Sequence, residues 1–330
     1  MSRRPTLLVV DANRPSATTV ARVMASASGG AHTVVAGDLA EARQQLEDTP
    51  VLIAVDEREL EPVLAWSLAE APAARVICWT QDTTEVALSA AQRDPRIDAV
   101  LGWPSFRSTP RLSEVAYATR RAMGNGRGGA ALKELLLWGA SVASWQPRTT
   151  VQLGSVCEGV LALGERLGLS TRVATRASDA THELLMNAMY DAPAAGGRPL
   201  FAHDRKASIT LTPEQAPTIT YGCDGVLLGV QVTDPFGRLD RRTTLASILR
   251  GVAAASTTGG TGPLDTSGGG AGLGLFQLYM TAASVVVEVV PGHSTRVTWL
   301  YDLTVRLRDT RTLPNSLLLY VTPHASPETP

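Results

Sequence analysis

Gly268-Gly269-Gly270-Ala271-Gly272-Leu273-Gly274-Leu275 runs directly into the apolar segment Phe276-Gln277-Leu278-Tyr279-Met280. Glycines let a backbone bring bare N–H groups up to phosphate oxygens. A helix starting after them aims its unpaired donors and the positive end of its dipole at the same anion. The stretch therefore predicts a glycine loop followed by a helix. Glycine loops are common and many supply only flexibility, so the reading depends on what lies upstream.

Two upstream features matter. The first is Thr181-His182-Glu183-Leu184-Leu185-Met186-Asn187-Ala188-Met189-Tyr190-Asp191-Ala192, with apolar residues at 184, 185, 188 and 189, a helical spacing. Glu183, Asn187 and Asp191 then project from one stripe of that helix. A carboxylate and an amide oxygen one turn apart are hard ligands suited to Mg2+, directly or through water. The same carboxylate could orient a water for attack on a terminal phosphate. In isolation the stripe also reads as the solvated face of an amphipathic helix.

The second feature is Val226 to Gly237. Val226, Leu228, Val230 and Val232 alternate as on a half-buried strand ending at Asp234. Pro235 and Gly237 stop the ladder and turn the chain. An Asp facing a pocket at a strand end can accept a hydrogen bond from an adenine amino group; it can equally start the turn through its own side chain.

The order Glu-x-x-x-Asn helix, Asp-x-x-Gly turn, then Gly-x-Gly-x-Gly-Leu resembles the GHKL ATP-binding superfamily, over roughly Leu132 to Asp302. Gly270-Ala271-Gly272-Leu273-Gly274-Leu275 matches the second glycine box of that superfamily. Asp234 matches the acid of the first, although Phe236 replaces one glycine and Gly237 is out of register with the other. The resemblance implies ATP and Mg2+ as cofactors. Asn187 and Glu183 would hold the metal, and Glu183 would be the candidate catalytic base. Asp234 would read adenine, and Gly270, Gly272 and Gly274 would wrap the phosphates. Asp191, Gly237, Leu273, Leu275 and Thr295 complete the implied nucleotide contacts. The fold implied is a two-layer α/β sandwich, with strands at 208–211, 218–221, 226–233, 285–290 and 295–301. The segment between Gly237 and Gly268, rich in Ala, Thr and Gly, reads as a lid that closes over nucleotide.

Before this module, strand-like and helix-like stretches alternate. Leu7 to Val10, His32 to Val35, Val51 to Val55, Arg75 to Trp79 and Ile97 to Leu101 read as five buried strands of a doubly wound parallel sheet. The arrangement resembles the receiver domain of response regulators over about Thr6 to Met123. Asp56 falls at the phosphoacceptor position, Thr80 at the switch hydroxyl and Asp11 at the metal-binding acids. The departures are Ala12 in place of a second acid and Trp103-Pro104 in place of Lys-Pro. They imply a pseudo-receiver that docks a signalling partner or forms a homodimer, with Asp56 unmodified. The domains expected are 1–124, a linker at 125–131, 132–305, and a tail from 306 to 330 that packs around Leu317 to Tyr320 or binds a partner.

Composition narrows the class. Thirty Lys and Arg nearly cancel thirty-one Asp and Glu in 330 residues, so no nucleic acid or anionic membrane is expected as partner. Three scattered cysteines, no signal peptide and no apolar run near twenty residues predict a reduced, soluble, cytoplasmic protein. None of the five histidines lies on a helical hairpin ahead of the Glu183 helix, and His182 reads as half-buried. The compact layout resembles the anti-sigma-factor serine kinase branch more than an autophosphorylating histidine kinase, which stays as an atypical alternative. The remaining readings are an ATP-dependent protein kinase or slow ATPase, and an inactive module whose partner surface is ordered by nucleotide.

Overall fold

The computed structural model describes residues 4–82, 84–124, 129–195, 198–202, 204–257, 271–305 and 313–322. The chain is mixed α/β and divides into two compact units: Met1–Gly128 with Thr312–Leu318, and Gly129–Arg311 with Leu319–Pro330.

In the first unit, β1 (Thr6–Val10), β2 (His32–Ala36), β3 (Pro50–Asp56), β4 (Arg75–Thr80) and β5 (Ile97–Gly102) alternate with five helices. These are α1 (Arg14–Ala27), α2 (Leu39–Gln45), α3 (Glu57–Glu70), α4 (Glu85–Arg93) and α5 (Leu112–Ala122). The strands pair in parallel in the order β2-β1-β3-β4-β5, a doubly wound arrangement. Leu7, Leu8, Val9 and Val10 are all fully buried, so both faces of β1 are covered. Each such side chain contributes about 1.5–3 kcal/mol. The turns after the strands carry helix caps. Asn13 accepts from Ser16 N at 3.3 Å, Asp38 from Glu41 N at 2.8 Å, and Asp56 from Arg58 N at 3.0 Å.

The second unit begins with α6 (Leu132–Leu135), β6 (Ser141–Trp145), α7 (Gln152–Arg166) and α8 (Thr171–Met186), then a single π-helical turn over Asn187–Asp191. The short pair β7 (Ala194–Ala195) and β8 (Arg198–Pro199) follows, then β9 (Thr218–Cys223), β10 (Leu227–Asp234), α9 (Arg241–Thr257), α10 (Ala271–Thr281), β11 (Ser284–Val290) and β12 (Ser294–Asp302). The strands form an antiparallel sheet, β11-β12-β10-β9-β6. Strand alternation separates its faces. Val230 and Val232 of β10 stand opposite Trp299 and Val297 of β12, and Trp299 Nε1 donates to Thr281 Oγ1 of α10 at 3.3 Å. The other face is covered by the chain around α6. There Gln231 Nε2 donates to the Ala130 carbonyl at 3.0 Å, and the space beside Gly229 is filled by Leu132.

Four expectations change. Residues 208–211 form no strand; they make one isolated bridge, Thr149 with Thr210. Pro147 has no N–H, so a ladder starting there cannot extend toward β6. The first half of the expected lid is helix α9. Asp240 caps it by accepting from Thr243 N at 2.8 Å, its buried Leu245 and Ile248 face inward, and its Gly251 leaves room for the Phe276 ring. The remainder of the expected lid lies largely outside the described residues. Gly272 and Gly274 belong to the first turn of α10 and not to a loop before it. Finally, part of the expected tail is the strand β13 (Ser316–Val321). Within the first unit its Leu317 and Leu318 run antiparallel to Val100 and Ala99 of β5. Ser316 Oγ accepts from Gly102 N at 2.9 Å and donates to Glu114 Oε2 at 2.6 Å. A Cβ at Gly102 would strike the Pro314 carbonyl, so only glycine allows this approach.

Candidate functional site

A cavity of about 140 Å³ opens in the second unit between α8, the π-turn, β10, β12 and α10. Asn187 and Asp191 line it from the helix, Asp234 and Thr295 from neighbouring strand positions, and Leu275 from α10. Leu184, Val232 and Val297 supply apolar wall, and Arg238 and Leu239 the segment after the turn. Five of the residues singled out in the sequence thus converge, although they span more than one hundred positions.

Asp234 is only 7% exposed. Burial pushes its carboxyl up to about 6, against the opposing pull of the Phe236 and Gly237 N–H groups and of Thr295. Its Oδ1 accepts from Phe236 N at 2.9 Å. Asp234 therefore starts the turn, as one reading expects, and also lines the cavity.

Asn187 closes α8, and its Oδ1 accepts from Arg205 Nη2 at 3.3 Å. The same nitrogen pairs with Asp191 Oδ2. Burial raises the Asp191 carboxyl, with Arg205 opposing. The π-turn departs from the regular stripe the spacing predicts: Ala192 N–H bonds five residues back to the Asn187 carbonyl at 3.0 Å.

The other implied contacts lie elsewhere. Glu183 is not among the cavity residues; its carboxyl packs where a Cβ at Gly274 would stand. Gly237 serves the backbone. At φ +61° it sits against the β11–β12 turn, and a Cβ there would strike the Val290 carbonyl. Gly292 N bonds the Gly237 carbonyl at 3.2 Å. Gly272 and Leu273 stand in the opening turn of α10, where backbone N–H groups have no partner within the helix. Gly270 lies outside the described residues. His182 is exposed rather than half-buried.

These donors do not fit Mg2+. The Asn187 oxygen is engaged by a guanidinium, and Glu183 is turned onto Gly274. No three His, Cys, Asp or Glu come together as a metal site among the described residues.

In the first unit, Asp11, Asp56 and Thr80 gather at the carboxyl edge of the parallel sheet, as their strand positions require. Asp11 is 3% exposed; its Oδ1 accepts from Asn13 N at 2.8 Å, and its Oδ2 has no hydrogen-bond partner among the described residues. Burial raises its carboxyl and Asp56 adds to the effect. Asp56 caps α3, and Thr80 Oγ1 accepts from Asp82 N at 3.1 Å. Glu57 joins them, also raised by burial. Trp103 is buried, its indole N–H donating to the Arg107 carbonyl at 2.8 Å. The chain's two lysines, Lys133 and Lys206, both lie outside this unit. The edge is a set of helix and turn caps with no lysine to meet an acyl phosphate.

Sequence reading passed over Arg205, Arg238 and Glu57. Arg238 carried a signal, a cation directly after the Asp-x-x-Gly turn, and Glu57 adjoins Asp56. Arg205 carried none, because nothing local ties it to a residue fourteen positions earlier.

No helix among the described residues is long and apolar enough to cross a membrane. No family model matches the chain, and no curated protein matches it. Among solved structures it is similar to the RcsB response regulator of Salmonella typhimurium, described for its conformational dynamism for DNA interaction. The identity is 13% over 53% of this chain and 87% of that one, with a TM-score of 0.27. It is also similar to RcsB of Salmonella enterica serovar Typhimurium bound to promoter rprA in the presence of phosphomimetic BeF3-, at 13% identity over 54% and 91%, with a TM-score of 0.26.

Proposed function

We propose that this is a signalling protein whose second unit is a GHKL-type module holding an adenine nucleotide in the cavity beside α8. The observation that supports the reading is the convergence of Asn187, Asp191, Asp234, Leu275 and Thr295 on one cavity. Asp234 offers a desolvated acceptor suited to an exocyclic amino group, and Leu184, Val232, Leu275 and Val297 offer faces for a flat ring. Whole-ligand pockets run to about 300–1,000 Å³. A partly open space of about 140 Å³ suits the ring, with the phosphates lying outside it. The opening N–H groups of α10 suit the anionic part.

On this reading the nucleotide is held, and its binding orders a surface for a partner. The first unit is a docking surface for that partner or for a second copy. Turnover by a kinase or slow ATPase is the second reading, favoured by the position of Glu183 on Gly274, at the helix start that phosphates would meet.

Calorimetric titration with ATP tests the proposal. Saturable binding is expected, weakened about ten- to hundredfold by Asp234→Asn through loss of one charged hydrogen bond. No binding by the intact chain sinks it. ADP release that disappears in Glu183→Ala would favour turnover.

A further inference from the structure

The resemblance calls for a divalent cation beside Asn187, and the structure has a guanidinium there instead. Arg205 Nη2 donates to Asn187 Oδ1 at 3.3 Å and pairs with Asp191 Oδ2. Both partners line the cavity. That one nitrogen makes both contacts, while Nε and Nη1 make no hydrogen bond among the described residues. The guanidinium is thus anchored at one end and carries spare donors at the other. A planar fork of this kind matches phosphate oxygens.

A metal has little to bind. The amide oxygen that would coordinate it already accepts from a cation, and a second positive charge beside Arg205 would be repelled. Glu183, the one carboxylate on the preceding turn, lies on Gly274. Asp191 spends its Oδ2 on the ion pair.

We infer that Arg205 stands in for the metal, so that the cavity takes an adenine nucleotide as the free polyphosphate, without Mg2+. The inference rests on the nucleotide reading of the same cavity and commits that reading to a substrate form. Arg238 lines the cavity as well, and its Nη1 reaches the Asp191 carbonyl at 3.5 Å. Arg205 itself is not a lining residue; it is held by two residues that are, so on this inference its spare donors meet the polyphosphate beyond the cavity, where the metal would otherwise stand.

Calorimetry with ATP in two buffers tests this, one with excess Mg2+ and one with EDTA. The intact protein is expected to bind with affinities within about threefold of each other. Arg205→Ala is expected to lose about ten- to hundredfold in EDTA, and Arg205→Lys, which keeps the charge and loses the fork, to lose less. Binding by the intact protein that appears only with Mg2+ overturns the inference and leaves the nucleotide reading standing. Absence of binding in both buffers overturns both. Equal binding in both buffers with no loss in Arg205→Ala removes Arg205 from the role. The two-buffer measurement on the intact chain needs no variant, so a misfolded substitution does not block the decision.

Discussion

The two units each bring carboxylates to strand ends, and they use them in opposite ways. At the edge of the parallel sheet, Asp11, Asp56 and Thr80 each spend an oxygen on a nearby backbone N–H. Trp103 fills the neighbouring position with an indole that bonds its own loop. In the antiparallel unit, Asp234 also spends an oxygen on its turn, yet it still lines a cavity with Asn187 and Thr295. Gathering acids at a strand end follows from topology; leaving them open to a ligand depends on what packs beside them.

The contrast is most severely strained by Gly237→Ala. The substitution forces a side chain onto the Val290 carbonyl at a left-handed φ, and is expected to cost about 2–4 kcal/mol. A denaturant midpoint reads this directly, and an unchanged midpoint would mean that the turn holding Asp234 is soft.

Asp234→Asn and Asp11→Asn form a matched pair. Each neutralises a buried carboxylate and keeps an oxygen for the turn. Asp234→Asn should weaken ATP about ten- to hundredfold without lowering the stability of the free protein. Asp11→Asn should leave ATP titration untouched. Similar losses from both would erase the distinction between the units.

Acidity sharpens the distinction. The Asp234 carboxyl titrates near 6, and the anion is the form that accepts a base amino group. ATP affinity is therefore expected to be flat above that pH and to fall below it by up to about tenfold per unit. Asp234→Asn should abolish the dependence.

Stability moves in a related sense at Asp11, whose carboxyl is raised by burial and by Asp56. A raised carboxyl contributes stability that is full below its unfolded value, about 4, and is lost as pH rises through the folded value. Asp11→Asn should therefore raise the melting temperature at neutral pH, with the gain vanishing in acid. The smallest effect belongs to Asp56→Asn. Asparagine caps a helix as well as aspartate does, so stability should change by less than about 0.5 kcal/mol. An acyl-phosphate donor should leave wild-type Asp56 unlabelled by mass spectrometry, and stable labelling would show that the edge is open after all.

Much of the first unit was readable from its residues. Buried parallel strands are continuous apolar runs, and Leu7 to Val10 or Leu52 to Val55 admit few other readings. The Glu183 helix and the strand into Asp234 were equally clear from their periods. The lid was misread because Ala, Thr and Gly at 241–257 look featureless, yet Asp240 caps them and Gly251 makes room for Phe276. Residues 208–211 looked like a strand because three of the four are apolar or β-branched; Pro147, on the segment they bridge, stops a ladder from growing.

From its sequence alone this chain determines the alternating strands and helices of its first unit, the Glu183 helix and the strand into Asp234, and its near balance of charge. Those properties are local, carried by period, cap and turn chemistry within a few residues. Tertiary structure alone decided that Arg205 reaches Asn187 and Asp191, that Glu183 rests on Gly274, and that Leu317 and Leu318 extend the first unit's sheet. Such contacts join residues far apart in the chain, and close packing chooses them only once every neighbouring side chain has its place.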